Sequence, residues 1–226
     1  MSCFKVLCTA AALAIAGCIA TAQTTVTNLF PNLNKVIPDG QATGMSDTRT
    51  LTFSNPLFVS ISDIQVSLTI AGGFNGDLYG YLVHDSGFAV LLNRVGRTAS
   101  NPLGYGDAGM NVTLSASGND IHNYASHSPI FDGDQLTGTW APDGRNVDPE
   151  SVLDSDEQTA LLGSFNGTNP NGNWTLFLAD LDYGEEGTLV QWGLVISAIP
   201  EPSTWTLMGL GGFALAIRLL RRRRSK

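Results

Sequence analysis

The chain has 226 residues, with 25 Gly and only 14% charged residues, enough for one β domain of ordinary size plus end segments. Its formal charge of −8 is uneven: residues 23–200 hold 5 basic against 19 acidic side chains, a net of −14. That balance excludes nucleic acid as a partner and favours divalent cations or plain solubility. All three Cys (Cys3, Cys8 and Cys18) lie near the N-terminus, so no disulfide framework or Cys metal site is available downstream.

Residues 1–22 read as a secretory signal peptide. Lys5 supplies the positive start, and Val6 to Ile19 is an apolar run too short to span a membrane well. Ala20-Thr21-Ala22 forms an A-x-A cleavage site that predicts a mature start at Gln23. Ile15-Ala16-Gly17-Cys18 is a rival, since it resembles a bacterial lipoprotein signal and would make Cys18 a lipidated N-terminus. Residues 23–36 read as a polar lead-in, with a first strand near Val36 and Ile37.

Next come the period-two segments. Ile64, Val66, Leu68 and Ile70 alternate with polar residues, the pattern of a half-buried strand. A glycine turn over 72–76 leads into a strand ending at His84, and 111–115 reads as another short strand. Residues 116–160 form a long acidic region with few apolar side chains, a length that points to function or hidden structure. At the end, Trp174, Leu176 and Leu178 share one face of a strand, and Val190, Trp192, Leu194 and Ile196 share one face of another. With Asn169-Pro170-Asn171-Gly172 supplying turn chemistry, two Trp at matched places in adjacent strands are expected to anchor one face of a sandwich. The fold class expected is all-β, an antiparallel jelly-roll-like β-sandwich.

Several of these stretches resemble the P domain (P/Homo B), the β-sandwich beside the catalytic domain of kexin- and furin-like subtilases. The resemblance rests on Gly76-Asp77-Leu78, on Gly138 to Asp143, on Asn171-Gly172-Asn173-Trp174-Thr175-Leu176, and on Gly187-Thr188-Leu189 followed by Trp192 and Leu194. Between Leu82 and Val90, His84-Asp85-Ser86-Gly87 lacks the Pro and Thr typical of that turn. The resemblance implies a domain over 37–198.

Residues 199–226 resemble a PEP-CTERM sorting signal, with Pro200-Glu201-Pro202, a short apolar helix over about 204–220, and a basic end at Arg221, Arg222, Arg223 and Arg224. The apolar run Trp205 to Ile217 is shorter than a comfortable span, and the arginine cluster is expected to stay cytoplasmic. Such an anchor is weak and suits transient tethering in the inner membrane. The resemblance implies an exosortase-type processing enzyme acting near Pro200-Glu201-Pro202.

No catalytic constellation is legible. His84, Asp85 and Ser86 are consecutive, so their side chains diverge. His122 and His127 read as solvated loop residues, with zinc as a minor option. Asp77 and Asp180 read as turn caps. Calcium is a candidate ligand of the acidic loops over 132–157 and 180–186, but neither follows the Asp-x-Asp-x-Asp-Gly pattern, and no metal ligand is assigned.

The function expected is that of an exported, non-catalytic cell-surface or extracellular-matrix protein whose sandwich is an interaction or structural module. One alternative is an exopolysaccharide-binding module, with Tyr79, Tyr81, Tyr105, Tyr124 and Trp140 as stacking residues. Another is an accessory to a separate subtilisin-like protease. Exopolysaccharide or another envelope protein would then be the partner.

Overall fold

A computed structural model describes residues 23–55, 58–85 and 87–199. Residues 1–22, read from sequence as a signal peptide, Pro56, Leu57, Ser86 and the tail from Pro200 onward lie outside the described residues. Eleven strands form two sheets: β1 (Thr24–Phe30), β2 (Lys35–Ile37), β3 (Gln41–Leu51), β4 (Ser60–Phe74), β5 (Leu78–His84), β6 (Gly87–Asn93), β7 (Ala108–Asp120), β8 (Ile130–Asp132), β9 (Gln135–Ala141), β10 (Gly172–Asp180) and β11 (Gly187–Ile199). The seven-stranded sheet runs β1-β11-β4-β7-β9-β8, with β2 pairing β11 alongside β1, and the four-stranded sheet runs β3-β10-β5-β6. Every pairing is antiparallel except that of β7 with β9, which is parallel. The protein is an all-β sandwich.

The aliphatic alternation of β4 drives this layering. Ile64, Val66, Leu68 and Ile70 are sealed against the opposite sheet, and so is Ile61. The step of three from Ile61 to Ile64 survives because the β4/β11 register shifts between Ser197 and Ala198, so one extra residue restores the inward face. At the other end of β4, Gly72 and Gly73 both take φ of +69°, a left-handed geometry that Gly adopts without strain. They break the β4/β7 ladder between Ile70 and Phe74 and turn the chain toward β5.

Three sequence expectations need correction. Residues 24–30 are not a lead-in: β1 pairs with β11 from Thr24↔Ala198 to Phe30↔Trp192, and its weak apolar content fits an edge strand. The two Trp-bearing strands are not neighbours in one sheet. Trp174 on β10 belongs to the four-stranded sheet and Trp192 on β11 to the seven-stranded one, so the chain crosses the sandwich between them. Both indoles are fully buried, as are Leu176, Leu178 and Leu194. Finally, Val190 does not share the inward face. A register shift between Leu189 and Gln191 turns Leu189 into the core beside Trp192, Leu194 and Ile196 and leaves Val190 half-buried.

The acidic stretch 116–160 is ordered. It carries the end of β7, a turn of 3-10 helix over Ile121–His127, β8 and β9. The following loop closes the open edge of the four-stranded sheet. Asp143 and Gly144 donate backbone N–H groups to the carbonyls of Leu91 and Val90 at 3.1 and 2.9 Å, and Val90 donates to Ala160 at 2.9 Å. That pairing protects an edge that would otherwise be a template for aggregation.

Candidate functional site

His84 lies on β5 with its ring stacked on Trp174, centroids 4.0 Å apart and planes 5° from parallel. Its two ring nitrogens face the carbonyls of Asn173 at 3.0 Å and Asn169 at 2.7 Å. Asp85 projects into solvent, 3.7 Å from His84 Nε2, and Ser86 is outside the described residues. The imidazole thus fastens the turn that begins β10 to the core.

His122 departs from the expectation of a solvated loop residue. It is fully buried, with Nδ1 2.7 Å from Asp143 Oδ2 and Nε2 2.9 Å from the Arg97 carbonyl. Asp143 is also fully buried and receives the Asn93 N–H at 3.3 Å and contacts from Arg145. Arg145 in turn donates to Asp120 Oδ2 at 2.8 Å and to the Asp154 carbonyl at 2.8 Å. Burial alone disfavours the His122 cation, but the Asp143 carboxylate and the Arg97 carbonyl outweigh it and raise the pKa. Because Nε2 is spent on a backbone carbonyl, the pair offers no free base to a nucleophile. It is a clamp that holds the 142–160 loop onto β6 and β7. His127 is exposed.

A second charged cluster joins the starts of two turns. Arg94 is buried, donates to the Gly76 carbonyl at 2.8 Å and lies 3.6 Å from Asp77 and 3.4 Å from Asp182. Asp180 accepts the Asp182 N–H at Oδ1, the turn cap read from sequence, while its buried Oδ2 has no hydrogen-bond partner. Burial pushes Asp77 up to about 6 against the pull of Arg94, with Asp182 and Asp39 adding to the rise. Burial likewise raises Asp180 to about 6, opposed by the Asp182 N–H and Arg94 and reinforced by Asp77 and Asp39. Among the described residues no three carboxylate, imidazole or thiol groups converge as a metal-ion site would require.

The aromatic side chains fall into two groups. Tyr124 and Trp140 are buried, Tyr105 packs on Tyr124 at 4.4 Å, and the Tyr124 hydroxyl donates to Asp107 at 2.6 Å. Tyr124 and Trp140 are thus core anchors, while Tyr105 is half-buried and lines a separate surface pocket with Asp77, Asp182 and Tyr183. Tyr79 and Tyr81 stand half-buried on the outer face of the four-stranded sheet, joined by Phe177 and Phe88, which sequence reasoning left out. The missing signal was the register: Phe177 sits directly opposite Tyr81. Beside these rings is a pocket of about 310 Å³.

Of the other residues singled out from sequence, Gln23 starts the described chain and donates to Ser62 Oγ at 3.2 Å. Ala20, Ala22, Pro200, Glu201, Pro202 and the arginines 221–224 lie outside the described residues. Among the described residues no helix is long and apolar enough to cross a membrane. Arg145 was overlooked, although it is the one Lys or Arg within 116–160 amid nine Asp and Glu, which marks it as the expected counter-ion of a buried carboxylate.

Comparison with known proteins adds an address. Residues 198–224 match the PEP-CTERM protein-sorting motif, so the chain carries that motif starting where β11 ends. Among solved structures, the chain is similar to the serine protease of Aeromonas sobria in complex with a chaperone, at 13% identity and a TM-score of 0.43, covering 79% of this chain and 27% of that one. It is also similar to the serine protease of Aeromonas sobria in a second structure, at 12% identity and a TM-score of 0.44, covering 78% of this chain and 27% of that one. The chain therefore spans about a quarter of the length of those structures. No curated protein matches it.

Proposed function

We propose that this chain is an exported, non-catalytic envelope protein whose sandwich serves as an interaction or structural module and whose tail is a substrate of an exosortase-type enzyme. The PEP-CTERM motif at 198–224 carries this reading. The acidic character of the preceding span and the basic end agree with an outside domain and an arginine cluster retained inside. The two buried histidines support a non-catalytic role, since each spends a ring nitrogen or both on backbone carbonyls.

The test is sorting. The full chain, tagged within an exposed loop, is expressed in a PEP-CTERM-sorting bacterium with and without its exosortase. The expected result is a shorter, released or surface form only when the enzyme is present, and a longer membrane-bound form when Pro200, Glu201 and Pro202 are all changed to Ala. Identical mass and location in every arm would overturn the reading.

A further inference from the structure

The outer face of the four-stranded sheet holds a feature that neither the core nor the sorting tail accounts for. Tyr81 and Phe177 stack at 4.7 Å with planes 14° apart. Tyr79 meets both edge-on at 5.9 and 6.4 Å. These three rings form one side of the pocket of about 310 Å³, and Asp148, Pro149 and Glu150 form the other. Its size falls at the lower end of small-ligand sites.

The second side is built, not draped. Arg97 donates to the carbonyls of Pro149, at 2.7 Å, and Glu150. Asn93 donates to the Val147 carbonyl at 3.1 Å, and Asp148 accepts the Glu150 N–H at 3.0 Å. Buried Asn93 and the His122–Asp143 clamp thus hold the Asp148–Glu150 wall against the sheet. Among the described residues, the hydroxyls of Tyr79 and Tyr81 have no protein hydrogen-bond partner, and the Asp148 and Glu150 side chains are exposed.

We infer that this pocket binds a neutral glycan, with sugar C–H faces against Tyr79, Tyr81 and Phe177 and sugar hydroxyls held by the two phenols and by Asp148 and Glu150. The chemistry of the lining selects that occupant. Aromatic faces present a flat, weakly negative surface suited to the C–H side of a hexose. Carboxylates accept hydrogen bonds from hydroxyl donors and repel polyanions, which excludes acidic polysaccharide. Tyr81 and Phe177 each spend one ring face on the other, so the rings make a wall and not the surrounding cage that a quaternary ammonium requires. The inference deepens the envelope reading by naming a partner class, and rests on that reading only for where the glycan is met.

Binding is tested on the protein purified from a host that exports the full chain, by calorimetry and by retardation in gels cast with polysaccharide. The probes are cellohexaose, mannohexaose, galactohexaose and chitohexaose, with hexagalacturonate as the acidic control. At least one neutral probe is expected to bind saturably, and the acidic one not. Tyr81→Ala should weaken binding roughly tenfold. Because that change also removes a ring packed on Phe177 and Phe88, Glu150→Gln, on an exposed side chain, is the companion: affinity falls several-fold while the melting curve stays in place. Failure of all four neutral probes, equal binding of hexagalacturonate, or binding untouched by both substitutions overturns the inference. Normal sorting without glycan binding removes the pocket reading alone, and glycan binding without sorting removes the envelope reading alone.

Discussion

Trp192 on the seven-stranded sheet donates its indole N–H to Asp47 on the four-stranded sheet at 2.7 Å. Asp47 is buried and also receives Lys35 at 2.5 Å and Arg49 at 2.6 Å. Arg49 lies over Phe30, which packs on Trp192. One carboxylate thus joins the two layers through an indole and two cations. Burial opposes its charge, but Arg49, Lys35 and Trp192 outweigh that and hold Asp47 below the usual carboxylate range. Asp47→Ala leaves the indole N–H buried without an acceptor, at a cost of about 1–3 kcal/mol in urea unfolding. A depressed carboxylate stabilises the fold above its unfolded value and loses that contribution as pH falls through its folded value. The Asp47→Ala deficit should therefore shrink only below the unfolded value of 3.8.

Asp77 and Asp180 act in the opposite sense. Both have folded values raised to about 6 from 3.8. Folding therefore favours their protonated forms, and stability present below 3.8 is lost as pH rises through about 6. The melting temperature should rise when pH is lowered from 7.5 to 5. Asp180→Asn should flatten that rise and stabilise the protein at pH 7.5 by on the order of 2 kcal/mol. A melting temperature that falls between pH 7.5 and 5 would contradict this assignment.

His122→Ala leaves Asp143 buried with only Asn93 and Arg145 on its carboxylate. Breaking a buried ion pair from one side costs roughly 3 kcal/mol, and the loss should be local first, because the pair clamps one loop. Limited proteolysis should cut the variant within 145–158 under conditions where the parent resists. Since the His122 value is raised, its stabilising contribution is full below the ordinary value of 6.5 and fades as pH rises through the higher folded value. Loop protection in the parent should weaken at alkaline pH.

Trp174→Ala empties the space between His84 and Phe165, whose rings lie 4.0 and 5.2 Å away. A cavity of that kind costs about 3–5 kcal/mol. Glu150→Gln on the pocket rim, by contrast, should leave unfolding unchanged, and comparing the two by calorimetry separates core from surface.

The residues that told most in the sequence were those whose burial follows a simple period. Ile64 to Ile70 and Trp174 to Leu178 announce strands because every second side chain is apolar. Period two gives the inward face but not the sheet to which a strand belongs, so the separation of Trp174 and Trp192 into opposite layers was hidden. Local register shifts were hidden too, and one of them moves Val190 off the core face. The 116–160 region announced hidden structure by its length, but not what holds it. Its interior is fastened by His122, Asp143 and Arg145, polar groups that a hydrophobic pattern passes over. The outer aromatic pocket was half visible: Tyr79 and Tyr81 stood out, whereas Phe177 joins them only through strand pairing.

Thr25 and Ser197, 172 positions apart, share a hydroxyl hydrogen bond of 2.8 Å where the first strand lies along the last. Synthesis from the N-terminus delivers β1 early and β11 late. The earliest strand must therefore wait, unpaired, for nearly the whole domain to follow before its partner appears. Closing so long a loop is slow, so the seam between β1 and β11 is expected to be among the last that folding closes.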